Sequence, residues 1–300
     1  MLCTSREKGH GHITMKQDLL KIMEEQMPNF SKGQRHIAQY ILSNYEKAAY
    51  MTAAKLGALS GVSESTVVRF AIELGYNGYP EMQKALQELV RTKLTSVQRM
   101  EVTNTLIGNS EVLDKVLTSD IDKIRQSLEE IDRVAFYAAV DKIIEAKNIY
   151  IIGVRSSSTL AGFVNYNFRM MFDNVKFIQT TSGSEMFEQI MRIGDSDVMI
   201  AISFPRYSKR IINAVEFARA RGADVVALTD SEQSPIAAYA DQLLIARSDM
   251  ASFVDSLVAP LSIINAMIVA LSRKKQEELT GRLHELESIW EKYDVYDKNR

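Results

Sequence analysis

Cysteine is nearly absent: the 300-residue chain has one, Cys3. A disulfide framework, a cysteine-based zinc site and an internal thiol redox pair are therefore excluded within one chain, and a reducing, cytoplasmic setting is expected. Histidine is scarce as well: the four are His10, His12, His36 and His284. Long apolar runs are missing too. None reaches the roughly 18 residues of a membrane span, so no membrane partner is expected. The opening MLCTSREKGHGHIT has no apolar h-region and does not read as a signal peptide. Residues 1–14 are expected to be a disordered leader, with Met15, where a helical pattern begins, as an alternative start. His10 and His12 are read as part of that leader rather than as metal ligands. No metal and no cofactor are expected.

What is present is an ordinary soluble composition, 46% apolar and 25% charged, enough to bury a real core. The length suits two domains. The net charge of −2 hides a mild split. Residues 1–95 hold 12 Lys/Arg against 9 Asp/Glu, and residues 96–300 hold 24 against 29. A slightly basic head on an acidic body runs in the direction that a nucleic-acid-binding head needs.

The first third reads as helices. Ser31 is a candidate N-cap for a helix carrying Ile37, Ala38, Ile41 and Leu42 at helical spacing. Thr52 opens a short helix with Ala53, Leu56 and Leu59. Ser60-Gly61-Val62 makes a turn, and Ser63 caps a helix that Gly75 ends. Pro80 starts another. Residues 15–91 are therefore expected to form an all-α domain and 92–110, polar and rich in Ser and Thr, a linker. Helices are expected over Ser110–Glu130 and Arg133–Ala146. Apolar runs at Ile149–Val154, Val175–Ile178, Val198–Ser203, Val225–Thr229 and Leu243–Ala246 then alternate with helical stretches. Unbroken apolar strands in β-α alternation mean a parallel sheet buried on both faces. The expected body, 111–300, is thus a three-layer α/β domain with a five-stranded parallel sheet.

Two short helices meeting across a glycine turn, Thr52 to Phe70, have the form of a helix-turn-helix. The second helix opens with Ser63, Glu64, Ser65 and Thr66. A helix N-terminus offers free amides and positive dipole to phosphate, and short polar side chains there reach base edges in the major groove. Arg69, one turn on, suits a phosphate or a guanine, and Lys55 on the first helix suits the backbone. The blander reading makes Ser63 a cap alone. Val67, Val68 and Phe70 read as core.

The stretches SKGQRHIAQYIL and MTAAKLGALSGVSESTVVRFAIELGYNGYPEMQKAL give Phe30–Leu89 a resemblance to the N-terminal domain of the RpiR family of bacterial regulators. Its Ser-Glu-x-Thr-Val-x-Arg-Phe core followed by Leu-Gly-Tyr-x-Gly-Tyr is more specific than a generic helix-turn-helix. The resemblance implies a double-stranded DNA operator as partner.

Candidate ligand loops sit where strands run into helices. The first is Gly153-Val-Arg155-Ser156-Ser157-Ser158, the second Ser203-Phe-Pro-Arg206-Tyr-Ser208. Ligands of open parallel sheets bind at the carboxyl ends of strands. Serine hydroxyls and amides at a helix start hold phosphate, and Arg155 and Arg206 add charge. The plain alternative is that the serines only shape turns. Lys209 and Arg210 at a helix start oppose the dipole, a conflict that a bound anion relieves. Thr180–Glu185 is a third, weaker loop.

Residues 133–272 resemble the SIS (sugar isomerase) domain that follows the helix-turn-helix in RpiR-type regulators, on the stretches IYIIGVRSSSTLAGF, DSDVMIAIS, AVEFARARGADVVALTDSEQSPIAAYADQLL and SLVAPLSIINAMIVAL. The resemblance implies a phosphosugar held by a Gly-x-Gly-x-Ser turn and a Ser-x-Ser-Gly-x-Thr loop. Gly153 and Ser157 match the first, with Arg155 in place of its second glycine. Ser203 and Ser208 match the ends of the second, whose central Ser-Gly is Pro205-Arg206 here. The resemblance further implies self-association, so a homodimer or homotetramer is expected, its paired heads reading a pseudo-palindromic site.

The rival readings are a sugar-phosphate isomerase and a purely oligomerising domain. Isomerisation needs a general base. No histidine falls in the five-strand region, and Glu185 and Glu188 read more simply as acids at a helix start. No catalytic residue is expected, and the chain is read as a regulator sensing a small phosphorylated metabolite.

Overall fold

The computed structural model describes residues 19–108, 111–248, 250 and 252–296. The expected leader, with Cys3, His10 and His12, lies outside the described residues. The chain divides into two units, the first ending at Thr95 and the second starting at Ser96.

The first unit is helical: α1 (Leu19–Gln26), a single 3-10 turn, α2 (Lys32–Ala48), α3 (Ala53–Ser60), α4 (Glu64–Glu73) and α5 (Tyr79–Lys93). A capping box starts α2. The Ser31 hydroxyl accepts from the Gln34 amide, and the Gln34 side chain accepts from the Ser31 amide at 2.8 Å. The core is the periodic apolar set, Ile37, Ile41, Leu56, Val67, Phe70 and Met82, all fully buried. Phe30 packs edge-on against Phe70, ring centroids 5.2 Å apart. Val68, expected in the core, is only half-buried.

Most of the expected linker is a helix. Within 92–110, α5 runs to Lys93 and α6 occupies Ser96–Ile107, inside the second unit. The polar composition misleads because the buried residues described on α6 are themselves polar. Arg99 and Thr103 are 2% and 4% exposed, while Val97 and Met100 face solvent. Arg99 forms an ion pair with Asp255.

The rest of the second unit is α7 (Val112–Glu130), α8 (Arg133–Glu145), β1 (Ile149–Gly153), α9 (Ser157–Met171), β2 (Val175–Ile178), α10 (Gly183–Ile190), β3 (Val198–Ile202), α11 (Lys209–Ala220), β4 (Asp224–Thr229), β5 (Gln242–Ile245), α12 (Val258–Lys274) and α13 (Gln276–Lys292). The five strands are all parallel, in the order β2-β1-β3-β4-β5. The pleat sends alternate residues to opposite faces. Ile149 and Ile151 join α8, α9 and α12 in one core, and Tyr150 and Ile152 join α10 and α11 in the other. Both faces are covered, which is why β1 and β3 are apolar throughout. Strand order reverses between β1 and β3, so the crevice beyond their carboxyl ends is the place for a ligand.

Candidate functional site

In the first unit, α3 and α4 are packed together through a glycine contact. A Cβ on Gly57 would stand 2.9 Å from the Val62 carbonyl oxygen, so the turn between the helices closes only over glycine. Gly61 ends α3 with φ +69°, the left-handed conformation that favours glycine. Ser63 caps α4 by accepting from the Thr66 amide, and its hydroxyl lies 2.9 Å from those of Ser65 and Thr66. Lys55, Ser63, Glu64, Ser65 and Arg69 are all exposed, and Thr66 is half-exposed. The six expected DNA contacts therefore stand on the solvent side of α3 and α4, while Val67 and Phe70 point inward. Ser63 is both a cap and a member of this face.

In the second unit, a cavity of about 240 Å³ opens at the carboxyl ends of β1 and β3. Six of the eight expected ligand residues line it: Arg155, Ser156, Ser157, Ser203, Arg206 and Ser208. Gly153 and Ser158 do not. Gly153 lies where α9 crosses the end of β1, leaving no room for a side chain. The Ser158 hydroxyl donates to the Arg155 carbonyl at 2.5 Å, a turn contact. Lys209, Arg210 and the Thr180–Glu185 loop are likewise not on the lining. There, Thr180 donates to the Glu185 carboxylate within its own loop.

Arg155 stands in a backbone conformation that favours glycine. Arg155 has φ +56°, a left-handed conformation that costs a residue with a Cβ about 1–2 kcal/mol. Strain of this kind concentrates where a side chain serves a function. No side chain caps the start of α9, whereas Ser208 caps α11 by accepting from the Arg210 amide at 3.3 Å. The departure at Pro205-Arg206 replaces small polar residues by a guanidinium on the lining, and Arg206 donates to the Ser96 hydroxyl at 3.3 Å.

Residues 96, 99 and 253–255, which complete the lining, are not signalled by the sequence. They bring Arg99 and Asp255 to the cavity. Among the described residues, the charged side chains on its wall are thus three arginines and one aspartate, with Ser96, Ser156, Ser157, Ser203 and Ser208 between them. Two net positive charges and five serine hydroxyls match a phosphate monoester dianion. Among the described residues no cluster of metal-ligating side chains occurs, and no helix is long and apolar enough to cross a membrane.

Comparison with known proteins agrees with this division. Residues 17–93 match the helix-turn-helix domain of the rpiR family, and residues 142–270 match the SIS domain. An uncharacterised HTH-type transcriptional regulator of Clostridium perfringens is 28% identical over 74% of this chain and 79% of its own. The HTH-type transcriptional regulator HexR of Escherichia coli is 26% identical over 73% and 74%. In fold, the chain resembles the Vibrio vulnificus NanR protein, solved in complex with ManNAc-6P, with a TM-score of 0.57 and 23% identity over 91% of this chain and 97% of that one.

Proposed function

Since the chain joins an rpiR-family helix-turn-helix domain to a SIS domain, we propose that it is a DNA-binding transcriptional regulator whose second unit senses a phosphorylated sugar or a related anionic metabolite. The observation that carries the sensing part is the cavity at the carboxyl ends of β1 and β3, with three arginines against one carboxylate and five serine hydroxyls on its wall. NanR, of like fold, is complexed with ManNAc-6P, which supports a phosphorylated sugar as the ligand class here. On the DNA side, the Ser63–Thr66 start of α4 and Arg69 enter the major groove while Lys55 meets the backbone.

Isomerase chemistry is disfavoured. The carboxylate on the cavity wall, Asp255, is occupied by its ion pair with Arg99 and is poorly placed to take a proton from a substrate. His284 and Glu185 are not on the lining. The protein acts as a homodimer or homotetramer. Support for self-association comes from α7, where Leu113, Leu117, Ile121, Ile124 and Leu128 form an exposed stripe at spacings of three and four.

The test is fluorescence anisotropy of the full chain on duplex DNA from upstream of its own gene, in a salt series against a scrambled duplex. Salt-sensitive binding that exceeds the scrambled control, and that changes when sugar phosphates are added, is the expected result. Equal binding to both duplexes counts against an operator there. Turnover of a sugar phosphate would overturn the sensor reading.

A further inference from the structure

The reading above gives α6 no role, yet this helix supplies two residues to the cavity wall, Ser96 and Arg99. Arg99 is 2% exposed and ion-paired with Asp255, itself 9% exposed. Among the described residues the Arg99 Nε has no hydrogen-bond partner. A buried guanidinium with an unused donor is an expensive arrangement unless something completes it. Arg99 carries five donors in a planar fork, enough for a carboxylate on one edge and an oxyanion on another. At the first residue of the same helix, the Ser96 hydroxyl accepts from Arg206.

We propose that Arg99 is a direct ligand of the anion, sharing its guanidinium between the ligand and Asp255, and that the effector thereby fastens α6 to the rest of the SIS domain. This rests on the reading that the cavity binds an anionic metabolite. The consequence for regulation comes from chain order. α6 starts at Ser96, and the DNA-binding unit ends one residue earlier at Thr95, two residues after the last residue of α5. Among the residues of α6 whose side chains are described, the buried ones are Arg99 and Thr103. Polar docking of this kind is weak in water and is strengthened by a charge placed against it. Ligand occupancy and attachment of α6 are then linked, and each favours the other to the same extent.

The experiment uses the full chain with inorganic phosphate as the probe, against chloride at equal ionic strength. Thermal melts give phosphate affinity, and hydrogen exchange followed by mass spectrometry reports residues 96–107. Phosphate is expected to raise the melting temperature and to slow exchange across 96–107. The paired variant R99Q/D255N removes both charges, so neither is left stranded, and is expected to bind phosphate about tenfold more weakly or worse. R99K keeps the charge but not the fork and is expected to fall between. If the paired variant folds and binds phosphate as well as the parent does, Arg99 is no ligand and the sensor reading stands. The inference fails in the same way, with the sensor reading intact, if phosphate stabilises the parent without changing exchange across 96–107. If phosphate does no more than chloride to the parent, both the sensor reading and this inference fall.

Discussion

The carbonyl oxygen of Ser157 stands 2.5 Å from where a Cβ on Gly153 would lie, and the Ala161 side chain 2.9 Å from it. The first turn of α9 is thus laid directly on the last residue of β1, which is what brings Ser156 and Ser157 to the cavity wall. Gly153→Ala must push backbone against backbone. It is expected to cost about 1–3 kcal/mol in urea unfolding and to weaken phosphate binding as the serines move. Gly183→Ala, where a Cβ meets nothing within 4 Å, is the neutral control.

Arg155 offers the opposite trade. Arg155→Gly removes a left-handed residue with a Cβ, and is expected to raise stability by about 0.5–1 kcal/mol once the greater freedom of glycine in the unfolded chain is counted. It also removes one of three cationic groups from the cavity, so phosphate affinity falls while the melting temperature rises. A variant that gains stability and keeps its affinity would show that Arg155 does not serve the ligand.

On the helical unit, Arg69→Ala is expected to weaken operator binding by about 1–3 kcal/mol and to relax preference at one base position. Lys55→Ala is expected to weaken all duplexes about equally and to reduce the salt slope by about 1. Anisotropy across a salt series separates the two. An Arg69 variant with unchanged affinity and unchanged preference would place that side chain outside the interface.

The stability of the helical unit has a built-in alkaline limit. Burial pushes the Tyr79 phenol up to about 12, and its hydroxyl donates to the Met51 carbonyl at 2.7 Å. The unfolded phenol titrates near 10, so the fold favours the neutral form. The corresponding stability, about 2–3 kcal/mol, is complete below pH ~10 and disappears as the pH rises towards ~12. Tyr79→Phe should lose that alkaline dependence and only a little stability at neutral pH, because Gln83 also donates to the Met51 carbonyl. Urea midpoints of both proteins at neutral pH and at high pH measure it.

Leu117→Glu places a charge in the middle of the exposed stripe on α7. Sedimentation velocity is expected to show a smaller assembly than for the parent, with the circular dichroism of the chain unchanged. An unaltered assembly would move the contact to another surface.

Much of this architecture is legible in the sequence because it depends on local periodicity. The strand Val175–Ile178 has the bounds its apolar run predicts, and the other four differ by a residue at one or both ends. Ser31 and Ser63 act as the caps their positions indicate, and Thr52 caps the helix it opens. α6 escapes such a reading because its described buried residues, Arg99 and Thr103, are polar. The one available signal is the lack of any Gly or Pro from Leu94 to Ile107. Asp255 cannot be placed at the cavity from sequence at all, since its partner Arg99 is 156 residues away in the chain and no short-range pattern records such a meeting. Gly57 is likewise silent, though its contact with the Val62 carbonyl shapes the helix pair.

Glu64, exposed in the first turn of α4, would give a DNA-binding head of the proposed kind a particular economy of search. A carboxylate there repels the phosphate backbone everywhere along a genome, yet accepts a hydrogen bond from the amino group of a cytosine where one is presented. Its unit carries few surplus positive charges, so binding to random sequence releases few counterions and stays weak. Few copies are then lost to the mass of competing chromosomal sites. On the proposed reading a modest cellular supply would suffice to occupy an operator, and a small change in effector would be felt by most of it.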